Sequence, residues 1–339
     1  MGLWNTGICE GSNSTQPIYP IIPIVGGANE VHVSLKGLSR KGPFILTHYN
    51  NKAYWKDLHA RWPSKLSTVG HPYLSEALNR LKYQSEAKTF LGSLQEVDKE
   101  FKETGRLSLS VLDIGAGSGY WTELIWRALL QEGHQVRLAA LDISMDALSA
   151  IRQKCPSVET IQGDVTAIDP YRFQHAFDLV ISCYCLHHLV HVEGFLNALR
   201  FACKSVNSGG FLIIIDPVLT LPFSRFDVLD FASFRGNGIP RHLYFLEDIL
   251  QKEGLGRLRI DPAVSFLLNG NIEGKNKMTY EVANMIWRIL CKFIYKSQDA
   301  VQLISGLLVV LDEALKKLNL AYSSKVCVYR KSPRGGMGG

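Results

Sequence analysis

An α/β fold, a largely parallel sheet covered by helices on both faces, is what this sequence predicts, on three observations. From Ser108 onward, short and fully apolar segments alternate with amphipathic helical stretches. A glycine-rich loop follows the first apolar segment, and an aspartate closes the second. Continuous apolar strands alternating with helices indicate strands buried on both faces, as in a parallel sheet.

The elements follow in order. Residues 1–30 are rich in Gly, Ser, Asn and Pro and read as an extended, flexible arm. Residues 50–104 are helical in pattern, with Trp55, Leu58 and Trp62 at helix spacing. A second run holds Leu74, Leu78, Leu81 and Tyr83, and a third Phe90, Leu94 and Val97. Leu109–Ile114 is a strand, and Trp121–Gln131 a helix with Leu124, Ile125, Ala128 and Leu129 on one face. Val136–Leu141 is a strand, Met145–Lys154 a helix, and Glu159–Gln162 and Phe177–Cys183 are strands. A helix over Val192–Val206 leads to the apolar strand Phe211–Ile215. Tyr244–Lys252 is a helix ended by Gly254, and Leu258–Leu268 one strand or two. Two long helices, 278–295 and 299–319, precede a closing strand at Lys325–Tyr329.

Composition bounds the function. At roughly 150 residues per domain, 339 residues suggest about two domains. With 46% hydrophobic and 20% charged residues, disordered, fibrous and small disulfide-stapled classes are excluded. The net charge of +6 is scattered, with only Lys36, Arg40 and Lys41 forming a short patch. That argues against a dedicated nucleic-acid binder, which carries a basic cluster or stripe. Seven cysteines without a CxxC pair read as free thiols in a reducing compartment, and no metal site is expected. The longest apolar run, Leu303–Leu311, falls far short of a membrane span. The N-terminus lacks a basic stretch followed by an apolar one, so no signal peptide is expected, and a cytoplasmic protein is. Residues 1–6 fit the N-myristoylation pattern, which so short a stretch meets often by chance.

The strongest signal is Val111-Leu112-Asp113-Ile114-Gly115-Ala116-Gly117-Ser118-Gly119, between the first strand and its helix. Alternating glycines let the backbone turn sharply and approach a ligand, and the next helix points its positive N-terminus there. A dinucleotide loop would need Gly-x-Gly-x-x-Gly, whose third glycine falls at the bulky Tyr120. Asp113, two residues before Gly115, suits a cationic ligand better than a pyrophosphate. Asp142, ending the second strand, is placed to accept hydrogen bonds from ribose hydroxyls, about 20 residues after the loop.

These residues resemble the class I S-adenosylmethionine-dependent methyltransferases, small-molecule type, and the resemblance runs in order along 108–216. Asp113–Gly119 looks like the family's first motif, with Asp113, Gly115, Ala116, Gly117 and Gly119 at the cofactor, and Asp142 is similar to its ribose-binding acid, followed by Ile143. Gln162-Gly163-Asp164-Val165 resembles the adenine-contacting motif, Asp164 toward the exocyclic amine and Val165 beside the ring. Phe177–Cys183 resembles the fourth-strand motif, placing Cys183 at the cofactor, and Gly209–Asp216 the turn and fifth strand. The resemblance implies a Rossmann-like seven-stranded mixed sheet and S-adenosyl-L-methionine as cofactor.

Methyl transfer from a sulfonium is a direct displacement, and positioning supplies most of the catalysis. A base is needed only when the acceptor loses a proton at the transition state. Candidates follow the fourth strand, where the crevice of an open sheet lies: His187 or His188, with Asp216, at the end of the fifth strand, as a further acceptor-side carboxylate. An alternative role for the pair is to shape the loop. Ser182-Cys183-Tyr184-Cys185 stands where enzymes of this fold acting on adenine or glutamine amide nitrogens resemble one another in an Asn-Pro-Pro-Tyr motif, which disfavours those substrates.

The expected organisation is a flexible arm (1–30), a helical cap (31–105), a cofactor-binding core (106–274 and 321–331), a helical insertion (275–320) before the last strand, and a disordered tail (332–339). Trp55, Trp62, Tyr83, Phe226, Phe231 and Trp287 are candidates for lining an apolar acceptor pocket, with core packing as the other reading. The expected function is methylation of an apolar or aromatic small molecule at O, N or C. The alternatives are a tRNA or protein methyltransferase and a non-catalytic methyltransferase-like partner subunit. Partners are a small-molecule acceptor and a second copy through the helical insertion.

Overall fold

Strict alternation of side chains sorts each central strand into two apolar layers. On β1 (Ser108–Ile114) Val111 joins one cluster and Leu112 the other; on β5 (Val206–Asp216) Phe211, Ile213 and Ile215 join the first, Leu212 and Ile214 the second. The computed structural model describes residues 51–61, 70–71, 73–224, 238–270, 272–318 and 321–333. All lie within one compact unit, 46–339. The expected arm (1–30), the myristoylation pattern, the start of the cap, Trp62, Phe226, Phe231 and the tail from 334 lie outside the described residues.

β1 pairs in parallel with β2 (Gln135–Asp142) on one side and β4 (Phe177–Cys183) on the other. β3 (Glu159–Gln162) extends the sheet beyond β2, and β5 lies beside β4, also parallel. The long β9 (Ala321–Lys331) runs antiparallel to β5 and to β7 (Leu255–Ser265). These seven strands form the mixed sheet expected. Two further pairs of residues, β6 (Phe223–Ser224) and β8 (Glu273–Gly274), extend it past the end of β5.

Helix α1 (Asn51–Arg61) packs on α4 (Met145–Lys154). Helix α2 (Glu76–Glu103), with α3 (Tyr120–Gln131) and α4, covers the first layer; α5 (Val192–Ser205) and α6 (Leu243–Lys252) cover the second. Phe90 and Phe101 of α2 are fully buried, each contributing about 2–3 kcal/mol. The second and third apolar runs of the sequence prove to be this one helix, because no proline separates Leu81 from Phe90 and the stripe continues in phase.

The last expected helix is broken. Between β8 and β9 come α7 (Lys277–Phe293), α8 (Gln298–Leu303) and α9 (Ser305–Leu318), with Ile304 and Gly306 at the break. β5 also starts earlier than its apolar run, at Val206, since Asn207–Gly210 carry no strand signal and the register with β4 slips there. No helix among the described residues is long and apolar enough to cross a membrane.

Candidate active site

The carboxyl ends of β1, β2 and β4 open onto one cavity with about 790 Å³ of empty space, part of it open to solvent. Its floor is the glycine loop. Gly115, Gly117 and Gly119 all have positive φ (72°, 53° and 84°), and a Cβ on Gly115 would strike the Cys185 side chain. Only glycine serves there without strain. Gly115 and Ala116 donate backbone N–H bonds to the Leu141 carbonyl (2.8 and 3.1 Å), clamping the loop to the end of β2.

Asp142 is the hinge of this floor. One carboxylate oxygen accepts the Gly117 N–H at 2.9 Å and the other the Ser144 N–H at 2.8 Å. Ser144 in turn caps α4. Burial pushes the Asp142 carboxyl above its ordinary range, opposed by these backbone bonds and by the nearby His59. Asp164 receives the N–H and hydroxyl of Thr166 on one oxygen, at 3.0 and 2.6 Å.

Of the expected cofactor residues, Gly115, Ala116, Gly117, Asp142, Ile143, Asp164, Val165 and Cys183 line this cavity. Asp113 and Gly119 do not. Asp113 is buried, accepts the Thr122 hydroxyl at 2.6 Å, and is pushed up to about 7 by burial. Gly119 caps α3, with Ile151 where its Cβ would stand.

The two histidines part company. The tight turn Leu186–His188 sends the His188 ring into the cavity, edge-on to Trp55 at 4.7 Å. The His187 ring turns instead to Asp216, Nδ1 to Oδ1 at 2.6 Å, and both lie outside the cavity wall.

Trp55 and Tyr83 line the cavity as the aromatic pattern suggests. Trp287 sits elsewhere, beside His71 and Tyr295. The sequence reading misses Asn51, His59, Tyr120 and Tyr184. Asn51 and His59 complete, with Trp55, an i, i+4, i+8 row on α1, and that spacing was the available signal. Tyr184 has a positive φ of 55°, and its hydroxyl donates to the buried Glu86 of α2. Lys82 bonds Glu86 at 3.1 Å and stands 4.0 Å from the centre of the Tyr184 ring. Among the described residues no group of His, Cys, Asp and Glu is arranged to hold a metal ion.

Residues 111–210 match the model of the methyltransferase domain family. Two curated relatives are similar over about a third of this chain. Malonyl-[acyl-carrier protein] O-methyltransferase of Neorickettsia risticii is 34% identical over 111 residues, which is 32% of this chain and 40% of that protein. Demethylmenaquinone methyltransferase of Tropheryma whipplei is 27% identical over 106 residues, 31% of this chain and 41% of that protein. The match thus spans about two fifths of each relative. Among solved structures, an S-adenosylmethionine-dependent methyltransferase from Archaeoglobus fulgidus aligns with 72% of this chain and 94% of its own, at 18% identity and a TM-score of 0.42.

Proposed function

From the match of residues 111–210 to the methyltransferase domain model, we propose that this protein is a class I S-adenosylmethionine-dependent methyltransferase that methylates a small apolar or aromatic molecule at O, N or C. The observation that carries the proposal is the juxtaposition of Asp142 and the glycine loop with an aromatic-walled space in one cavity. S-adenosylmethionine, when bound, supplies an electrophilic methyl group on a sulfonium. The residues present fit it: Asp142 offers acceptor lone pairs for ribose hydroxyls, Asp164 and Val165 an edge and a face for adenine, and Gly115–Gly117 room for close backbone approach.

On the acceptor side, Tyr83, Tyr120, Trp121, Tyr184 and Trp55 supply apolar area and exclude water. Their rings constrain an acceptor to few orientations, and orientation is the main requirement of an in-line displacement. Of His187, His188 and Asp216, His188 is the one that lines the cavity, and its imidazole takes the proton of an acceptor hydroxyl. His187 and Asp216 orient the turn that carries it. The names of the two relatives, with a malonyl group and demethylmenaquinone as acceptors, support a small acceptor group. From outside the core of 106–274 and 321–331, Asn51, Trp55, His59 and Tyr83 reach this side. Six described cysteines without a disulfide support a reducing, cytoplasmic setting.

Methyl transfer is tested by incubating the protein with labelled S-adenosylmethionine and a metabolite extract, then identifying the labelled product by mass spectrometry. Label found only in the protein or tRNA fractions would overturn the small-molecule assignment.

A second copy of the chain is proposed as the occupant of the outer face of α7 and α9. Met278, Met285, Ile289 and Phe293 form an exposed stripe on α7 at helix-face spacing, and Leu303, Leu307 and Val310 are exposed on α8 and α9. Isolated exposed apolar residues are ordinary, but a contiguous stripe marks an interaction surface. Antiparallel pairing of α7 about Met285 would set Glu281 beside Arg288 of the partner subunit, twice by symmetry.

A further inference from the structure

We infer that His59 is a cofactor-binding residue, donating to the ribose of the nucleoside that Asp142 holds from the other side. The inference rests on the methyltransferase reading and adds to it a contact from outside the 111–210 domain.

Three observations converge. His59 is 2% exposed, and its Nδ1 has no hydrogen-bond partner in the protein. Its residue lines the same cavity as Asp142, on the α1 face that also presents Asn51 and Trp55. That helix packs on α4, whose N-terminal cap Ser144 is bonded to Asp142, so both partners are fixed to one element.

A buried polar atom left unpaired costs free energy that a bound ligand recovers, so an orphan on a cavity wall marks the place of a ligand atom. The chemistry specifies which. Both Asp142 oxygens already accept a backbone N–H, and their remaining lone pairs want donors. A ribose hydroxyl donates its proton to such a carboxylate and keeps oxygen lone pairs for a donor of its own. The His59 imidazole supplies that donor. Burial lowers the His59 pKa while Asp142 and Asp146 act to raise it, which leaves a neutral ring with one N–H to give. A neutral donor opposite a carboxylate recognises a hydroxyl, and would leave a phosphate or carboxylate on the ligand unbalanced beside Asp142. Trp55, one turn earlier, has its ring 5.8 Å from that of His59 and restricts its rotation.

The experiment is calorimetric binding of S-adenosylhomocysteine, and of its 2′-deoxy and 3′-deoxy analogues, to wild type, His59→Ala and His59→Asn. In the Asn variant the side-chain amide stands where Nδ1 stood. His59→Ala is expected to weaken S-adenosylhomocysteine roughly tenfold and to leave the Kd of one deoxy analogue nearly unchanged. His59→Asn is expected to keep most of the affinity. Thermal melts without ligand identify any variant weakened by misfolding, and the Asn variant then carries the comparison. Equal affinity in all three proteins, or an equal loss for the parent compound and both analogues, would overturn the inference while leaving the methyltransferase reading intact. A wild-type protein that does not bind S-adenosylhomocysteine would overturn both.

Discussion

His187 and Asp216 are joined twice: ring Nδ1 meets Oδ1 at 2.6 Å, and the His187 backbone N–H donates to Oδ2 at 3.2 Å. Burial pushes the imidazole down to about 3 and the carboxyl up to about 7, so both groups favour their neutral forms. One proton shared between them keeps the bond whichever partner holds it. A ring so occupied is a brace for the Leu186–His188 turn.

The first prediction separates the two histidines. With an acceptor that must lose a proton, His188→Ala should flatten the rise of kcat with pH. His187→Ala should keep that rise but lower stability by about 1–3 kcal/mol, because buried Asp216 loses the imidazole and retains the residue-187 backbone N–H. Steady-state pH profiles and thermal melts of the two variants decide; a flattened profile in His187→Ala alone would reverse the assignment.

Asp142 should govern cofactor affinity. Asp142→Ala removes a buried charged acceptor and frees two backbone donors, Gly117 and Ser144. Its S-adenosylmethionine affinity is expected to fall about 10–100-fold, as for lost hydrogen bonds to a charged group. Unchanged affinity by calorimetry would remove the ribose assignment.

Asp113 makes stability depend on pH. In the unfolded chain its carboxyl titrates near ~3.9, whereas in the fold burial raises it to about 7. Across that window the folded protein binds more protons than the unfolded one. The stability this contributes is therefore complete below ~4 and is lost as pH rises through about 7. Asp113→Asn abolishes the effect. The stability of wild type relative to the variant should drop by roughly 4 kcal/mol at most between pH 4 and pH 8, read from urea denaturation at each pH. A difference that stays constant with pH would contradict it.

How far the site could be read from sequence depended on how local each part is. Gly115, Gly117 and Asp142 were legible because strand, turn and next strand place them within a few residues of fixed geometry. His59 was not, because its position depends on α1 docking on α4, nearly a hundred residues later in the chain. The pattern that identified a helix there, Trp55 with Leu58 and Trp62, shares Trp55 alone with the row that meets the cavity. Nor could sequence decide between two adjacent histidines. The choice is made by Asp216 at the end of another strand, which claims one ring and leaves the other to the cavity. The early start of β5 was hidden for an ordinary reason, since Asn207–Gly210 pair as strand while lacking the residues that favour one.

The Tyr184–Glu86 contact should couple the acceptor side of the cavity to α2. Tyr184→Phe leaves Glu86 with Lys82 alone. A loss of about 1–3 kcal/mol is expected, together with a raised KM for the acceptor and little change in cofactor affinity. An unchanged KM would make the tyrosine purely structural.

Self-association through α7 is tested at its centre of symmetry. Met285→Lys puts two ammonium groups face to face, and sedimentation should show a monomer where wild type shows a dimer. A wild type that sediments as a monomer at all concentrations would remove the proposal.

The docking of α1 has a consequence for how the protein can be taken apart. Every strand pairing of the sheet lies C-terminal to Glu76, while Asn51, Trp55 and His59 arrive together on one helix held chiefly by α4. Part of the cavity wall is thus inscribed on a stretch of chain separate from the sheet. A single cleavage ahead of α2 would leave the described strand pairings within one fragment and the Asn51, Trp55 and His59 wall on another.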